Sequence, residues 1–434
     1  MPVTFKGGIH PTEKKELSRE RAIRRAKAPA RVVIPMTQHI GAPCYPVVEI
    51  GQRVKAGEMV GTADEFVSAP VHSSVSGKII AITDYPSATG KPALSVVIEN
   101  DYMEEWIPLS DRMDYQALLI DQLKHMVKDE GVVGMGGEVF PTHVKLTPPK
   151  EKPIDVLVIN GAECEPYLTS DHRLMLQNSR EIIEGSKIIM RILGVKKTVI
   201  GIEGNKPDAI AVMSEAAASE PEISVTGLEV KYPHGAEKML IKTALNRKVP
   251  RGGLPMDVGV VVQNVGTAIA VYEAVRYGKP HVERAITVTG EAINYPANLI
   301  VKVGTLITDI IEECGGFSTE VAKVISGGPM RGFALSGLDV PVTKGTSAIL
   351  ALPAEGIAHA EEFRNCIRCG RCIAICPMGL MPSVLGVTAE KGFYEMSREY
   401  NLFDCFECGS CTYVCPSNRP IVQLVRLAKS LVKP

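Results

Sequence analysis

The residues best able to do chemistry are cysteines near the C-terminal end. Cys366, Cys369, Cys372 and Cys376 precede Pro377 with the spacing C-x2-C-x2-C-x3-C-P, and Cys405, Cys408, Cys411 and Cys415 repeat it before Pro416. Thiolates spaced this way ligate cubane iron–sulfur clusters: three wrap three corners of one cubane, and the fourth turns away to ligate the other. Two [4Fe–4S] clusters are therefore expected. Cys366, Cys369, Cys372 and Cys415 would hold one, and Cys405, Cys408, Cys411 and Cys376 the second. Zinc is the competing reading of paired CxxC motifs. Tetrahedral zinc, however, requires neither a third cysteine at fixed spacing nor a proline after the fourth. The remaining cysteines, Cys44, Cys164 and Cys314, are scattered and odd in number, the usage of a reducing compartment and not of a disulfide framework.

Three loops upstream carry residues suited to holding a ligand. Gly131 to Lys145 is dense in glycine, with Gly134, Gly136 and Gly137 ahead of Phe140. It is not the dinucleotide fingerprint, because Val139 stands where the last glycine is needed and no strand precedes it. Its backbone N–H groups can still approach a phosphate or ring closely, and Lys145 adds a positive charge. The second loop, Asn160 to Tyr167, contains Glu163 and Glu165; the third, Gln263 to Thr267, contains Asn264. Each alone reads equally well as a tight turn or helix cap. At strand ends of one sheet, where open α/β sheets bind ligands, the three are expected to share a site.

The elements that must position these groups follow from the periodicity. At 434 residues the chain has room for about three domains or more. A net charge of -1 gives no case for a nucleic-acid partner. The apolar run from Val258 to Val275 is interrupted by Gln263, Asn264 and Glu273, so no bilayer-spanning helix is expected, and the N-terminus has no signal-type apolar core. The fold class is α/β multidomain. Residues 1–30 form an extension whose charged stretch, Thr12 to Arg31, reads as a solvated helix or arm. Residues 31–105 alternate in short runs turning at glycines. Residues 110–280 alternate helix and strand patterns. Residues 281–335 form a smaller strand–helix–strand unit, followed by a link from Gly332 to Ala360. Residues 355–434 carry the cysteine runs, and the helix-like stretch from Leu380 to Ala389 between the runs favours a helical unit.

With these residues in place the chain resembles the C-subunit family of the Rnf complex, the membrane-bound ion-translocating ferredoxin:NAD oxidoreductase. The resemblance spans nearly the whole chain, from Gly7-Gly8-Ile9-His10-Pro11 and His39-Ile40-Gly41-Ala42-Pro43 to both cysteine runs. It implies a barrel-sandwich hybrid module over residues 31–105, similar to lipoyl carriers but lacking the carrier lysine at Ala63 to Val67. It also implies a soluble-ligand-binding β-grasp (SLBB) unit and a two-cluster ferredoxin unit. The α/β layer is similar to the flavin- and NADH-binding subunit of respiratory complex I. That likeness implies FMN and NAD(H), with Gly134, Gly136, Gly137, Phe140 and Lys145 in the flavin loop. It carries Asn160, Glu163, Glu165, Tyr232, Gly235, Glu237, Asn264 and Thr267 over as flavin or nicotinamide residues. Ala236, Gln263 and Gly266 depart from the family pattern.

An FMN would be needed because a nicotinamide gives up two electrons as hydride, whereas each cubane takes one; a flavin can do both. The resemblance further implies partners in the Rnf membrane complex, including a ferredoxin-like iron–sulfur subunit and integral membrane subunits. It implies a peripheral place on the cytoplasmic face of the cell membrane. A soluble flavin/iron–sulfur cobalamin reductase and a non-enzymatic iron–sulfur conduit are the alternative readings.

Overall fold

A computed structural model describes residues 4–137, 139–355 and 364–433. Part of the expected link between residues 332 and 360 lies outside the described residues, as does Glu138 in the glycine-rich loop.

The scaffold of the ligand loops is a parallel four-stranded sheet. Its order is Ile223–Leu228, Thr198–Glu203, Val156–Gly161, Val260–Asn264. A continuous apolar run such as Val156 to Ile159 suits a strand buried on both faces. Leu157 and Ile159 enter the core against helices Ser179–Leu193 and Val265–Tyr277, while Val156 and Val158 pack on the other side with Leu240 and Ile241. The two helices touch closely at Gly185, where an added Cβ would lie 1.9 Å from the Ala268 carbonyl oxygen. The register sets Asn160 opposite Asn264 at the C-terminal ends of adjacent strands.

The module before this layer has two small antiparallel sheets. One is ordered Arg31–Pro35, Ala93–Asn100, Gly77–Tyr85, Arg53–Val54; the other is Tyr45–Pro46, Met59–Thr62, Val71–His72. Between them lies a core of Val32, Ile34, Val60, Val96 and Ile98. His72 is buried there and burial lowers its pKa to about 3, so it packs as a neutral ring.

The next unit is larger than its sequence suggested. Its sheet runs Ile23–Arg25, Ala297–Lys302, Glu283–Thr289, Ala348–Pro353, Val321–Ser326, Phe333–Ala334. Ala348–Pro353, expected in a link, is an interior strand, and its two neighbours are more than twenty residues away in sequence. The charged N-terminal stretch is likewise no solvated helix. It forms a short turn at Lys15–Leu17 and supplies the edge strand Ile23–Arg25. Other boundaries shift modestly: the helix expected from Leu174 to Leu193 is two, Ser170–Gln177 and Ser179–Leu193, broken at Asn178. The cysteine-bearing unit is helical, with Pro382–Glu390 packed on Ile421–Leu431. No helix among the described residues is long and apolar enough to cross a membrane.

Lys15 shows why the N-terminal stretch folds inward. Its ammonium donates to the carbonyls of Glu163, Glu165 and Leu168 and lies 3.9 Å from the Glu163 carboxylate. A buried cation is tolerated only when paired and hydrogen-bonded in this way. Lys15→Met leaves three carbonyls without their donor and the buried Glu163 carboxylate without that counter-charge, and about 3–5 kcal/mol of stability should be lost. Arg19→Ala, at an exposed side chain, should change stability by less than about 0.5 kcal/mol. Chemical denaturation of both variants measures the difference.

Candidate functional site

The three loops meet at the C-terminal edge of the parallel sheet, although only two of them leave strands. The glycine-rich loop follows the helix Ile120–Asp129 and is fastened to the sheet from outside. Thr267 Oγ1 accepts the Met135 N–H at 2.9 Å, and Arg284 Nη2 donates to the Met135 carbonyl at 3.0 Å. Gly134 N–H to the Phe140 carbonyl, 2.8 Å, closes the loop on itself. Gly136 and Gly137 form its exposed crest. Among the described residues nothing accepts a hydrogen bond from either N–H. An added Cβ at 136 meets only Asn264 Cβ, at 3.5 Å.

The asparagines weld the loops together. Asn264 Oδ1 accepts the Gly266 N–H and caps the following helix, and its Nδ2 donates to Asp171 at 2.7 Å. Asn160 Nδ2 donates to the Gly235 carbonyl at 2.8 Å, and its Oδ1 accepts the Ala162 N–H. The Gly235 N–H in turn reaches the Cys164 sulfur at 3.2 Å. Lys145 pairs with Glu237, so its charge is shared across the site. Where the complex I pattern has Glu, Gly266 leaves space already taken: Met135 Sδ and Arg284 Nη1 lie 3.1 and 3.3 Å from where its Cβ would be.

The two glutamates part company. Glu163, expected beside the nicotinamide, turns inward instead. Its carboxylate accepts the Asp171 N–H at 2.7 Å and faces the start of helix Ser170–Gln177, where the unsatisfied N–H groups and the helix dipole favour a negative charge. Glu165 stays in the site. One carboxylate oxygen accepts the Met330 N–H at 3.1 Å, and the other is buried with no partner among the described residues. Burial raises its pKa to about 7, opposed by the Met330 N–H and the charge of Arg331.

The barrel module buttresses the same loop. Ile40 N–H donates to the Val139 carbonyl, and a His143 ring nitrogen lies 3.2 Å from the Phe66 carbonyl. The hairpin tip that holds the lysine in carrier domains therefore packs here, through Phe66, against His143. Behind the loop, the buried Lys344 ammonium ties the carbonyls of Pro70 and Gly131 together. An added Cβ at Gly131 would stand 2.3 Å from the Pro70 oxygen.

On the far side the site abuts one cysteine set. Tyr232, almost fully buried, donates its hydroxyl to the Cys408 carbonyl at 2.6 Å. The N-terminal arm bridges the same joint: Ile9 pairs with Tyr232 through both backbone groups, and Gly8 N–H donates to the Ile375 carbonyl. The charges acting on Cys411 include Cys405, Cys408 and Cys376, and those acting on Cys372 include Cys366 and Cys415, the neighbours that the crossed assignment would require. Burial raises the pKa of each of these two thiols; neighbouring thiols add to it, and hydrogen bonds from Ser383 at Cys372 and from Thr412 at Cys411 oppose it. No three His, Cys, Asp or Glu side chains among the described residues converge on a single-ion site. A cubane requires a wider set, each thiolate taking a different iron.

Lys15, Asp171, Arg284 and Arg331 are site residues that the sequence reading missed. A cavity of about 200 Å³, lined in part by Lys15, Cys164, Glu203 and Tyr232, opens beside the second loop. It is smaller than sites for drug-sized ligands. The open N–H groups, the Lys145–Glu237 pair and the orphaned Glu165 oxygen together fit a flavin nucleotide.

Comparison with known proteins bears on the same regions. A family model described as the RnfC barrel sandwich hybrid domain matches residues 3–103, and the Nuo51 FMN-binding domain matches 127–273. An SLBB domain matches 285–334 and a 4Fe-4S dicluster domain 365–419. The chain is 49% identical over 429 residues to the C subunit of the proton-translocating ferredoxin:NAD(+) oxidoreductase complex of Clostridium ljungdahlii, covering 98% of this chain and 93% of the relative. It is 46% identical to the Na(+)-translocating counterpart of Acetobacterium woodii, covering 98% and 96%. To the C subunit of the ion-translocating oxidoreductase complex of Rhodobacter capsulatus it is 42% identical, covering 98% and 82%. Among solved structures, an NAD+-reducing [NiFe]-hydrogenase in the air-oxidized state aligns over 73% of this chain and 63% of its own, with 18% identity and a TM-score of 0.50, a likeness of fold.

Glu165 gives the site a pH signature. Between the ordinary carboxyl value of 4.5 and about 7 the folded chain holds a proton that the unfolded chain has lost. Its contribution to stability therefore falls as pH rises through that window. Glu165→Gln should flatten that part of the profile in the flavin-free protein. Glu130, also raised to about 7 by burial, should preserve the remainder. Unfolding midpoints measured from pH 4 to 8 provide the check.

Proposed function

The chain belongs to the C-subunit family of ion-translocating ferredoxin:NAD(+) oxidoreductase complexes, and from that premise we propose how its residues divide the work. It is an electron-transfer component with FMN and two [4Fe–4S] clusters. The finer reading is that nicotinamide reacts over the crest formed by Gly136 and Gly137, and that electrons pass singly between this site and the set Cys376, Cys405, Cys408 and Cys411. The set Cys366, Cys369, Cys372 and Cys415 then serves as the outer station. The observation carrying this order is the Tyr232 hydroxyl on the Cys408 carbonyl, a direct bond between the α/β layer and one cysteine run.

FMN, when bound, supplies the ability to accept a hydride and release single electrons. The chain supplies binding and orientation. The N–H groups of Gly136 and Gly137, which have no acceptor among the described residues, would donate to its acceptor atoms, with the Lys145–Glu237 pair alongside. Thr267 and Arg284 fasten the loop at Met135, so little ordering remains to be done on binding. Glu165, with a carboxyl poised near neutrality, forms a wall toward Met330.

The ferredoxin-like and integral membrane subunits of such complexes are the proposed partners, with the chain peripheral on the cytoplasmic face. Cys369 is exposed, which favours the outer set as the exchange point with a further iron–sulfur protein. The relatives named for proton and for sodium translocation are almost equally similar to this chain. The coupling ion is accordingly assigned to other subunits.

Gly136→Arg places a side chain in space that the fold leaves open and a flavin needs. Anaerobically reconstituted wild-type protein should hold about eight irons and one FMN, and NADH should bleach the flavin. The variant should keep the iron and lose both flavin and bleaching. A variant that is still bleached by NADH would place the flavin elsewhere.

A further inference from the structure

We propose that Arg331 is a positioning residue for electron transfer, a fixed positive charge that stabilises the added electron on the cluster held by Cys376, Cys405, Cys408 and Cys411. The inference rests on reading the cysteine runs as two cubanes and adds a residue from a different unit to the path between flavin and cluster.

Strand Val321–Ser326 runs into the loop Gly327 to Gly332, closed by the Gly332 N–H on the Gly328 carbonyl at 2.9 Å. This loop is wedged into the joint. On one side Glu165 accepts the Met330 N–H, and its Oε2 lies only 2.3 Å from where a Cβ at 328 would be. On the other side a Cβ at Gly409, next to Cys408, would stand 2.8 Å from the Met330 oxygen. The Arg331 backbone is fixed from the cysteine unit, its carbonyl accepting Arg426 Nη2 at 3.0 Å. The side chain points back toward the crest of the glycine-rich loop, with Nη1 3.8 Å from the Cβ position of Gly137.

Neighbouring cations are engaged: Lys15 by three carbonyls, Lys145 with Glu237, and Arg426 and Lys429 with Glu407. The half-buried Arg331 guanidinium makes no hydrogen bond or ion pair among the described residues. Its charge favours the Glu165 carboxylate, and its loop packs on Gly409, the residue after Cys408. A guanidinium partly withdrawn from water without a partner is costly. The cost has a use where negative charge arrives during turnover. Reduction adds an electron to the nearby cluster, and charge and hydrogen bonding around a cluster set its potential. The contacts that fix the Arg331 loop, at Gly409 and Arg426, belong to the second cysteine run and the helix that follows it.

The test is a redox titration of the full chain, loaded anaerobically with iron, sulfide and FMN, followed by electron paramagnetic resonance. Arg331→Gln should make one cluster harder to reduce by about tenfold in the one-electron equilibrium, which is 59 mV, and leave the other unmoved. Arg331→Lys should restore most of the shift. Cys408→Ser identifies the near cluster, because it should perturb the same signal. If Arg331→Gln sheds iron, Arg331→Met, which keeps an unbranched stem, is titrated in its place. Two midpoints that stay put, or move equally, in an uncharged variant retaining full iron would overturn the proposal. A wild-type protein without two cluster signals would instead overturn the reading of the cysteines.

Discussion

A hydride-accepting ring and a one-electron centre are useful to each other only if the chain keeps them close, because electron transfer weakens steeply with separation. In this chain the α/β layer and the cysteine-bearing unit are held together by a joint. The buried Tyr232 hydroxyl holds the Cys408 carbonyl, the arm from Gly7 to Ile9 laces Tyr232 to Ile375, and the Met330–Arg331 turn fills the space between. Gly7 and Gly8 explain themselves at this joint. Both have positive φ, and a Cβ on either would fall within 2.7 Å of a backbone oxygen, of Ile375 or Tyr232. Only residues without a side chain let the arm lie flat against both units.

The ligand side of the joint is built by indirect means. Most polar residues that the resemblance assigned to the cofactor spend their hydrogen bonds on one another. Asn160 holds Gly235, Asn264 caps its helix and Thr267 holds Met135. What remains for a ligand is backbone, the two N–H groups at the crest, together with the charges at its margin. Such a surface is rigid before anything binds, and the barrel module stiffens it further from the Ile40 and Phe66 side. A module shaped like a cofactor carrier, but without a lysine at its hairpin tip from Ala63 to Val67, packs in this chain against the glycine-rich loop.

What the sequence disclosed depended on how local the signal was. The cysteine spacing is a property of about ten consecutive residues, and the four parallel strands are apolar runs bounded by glycines and helices; both were legible. The strand Ala348–Pro353 was not, because its partners Thr287 to Thr289 and Val321 to Ser326 are brought to it only by the tertiary fold. Lys15 was hidden for the same reason: in a stretch rich in Lys, Arg and Glu nothing marks one lysine as buried. The present contacts of Glu163 were not legible because the family motif identifies a residue without its rotamer, and here its carboxylate accepts N–H groups at the start of helix Ser170–Gln177. Arg284 and Arg331 belong to a different unit from the loops they serve, so no motif within the α/β layer could include them.

The order of the path is the central claim, and it can be measured directly. NADH is mixed with the loaded protein and frozen at intervals for electron paramagnetic resonance, using wild type and a Cys369→Ser variant that disables the outer set. The account predicts that the Cys376, Cys405, Cys408 and Cys411 cluster is reduced at the wild-type rate in that variant, because the joint feeds it first. Reduction of that cluster that slows or disappears when the outer set is lost would show that electrons enter from the other end, and would contradict the account.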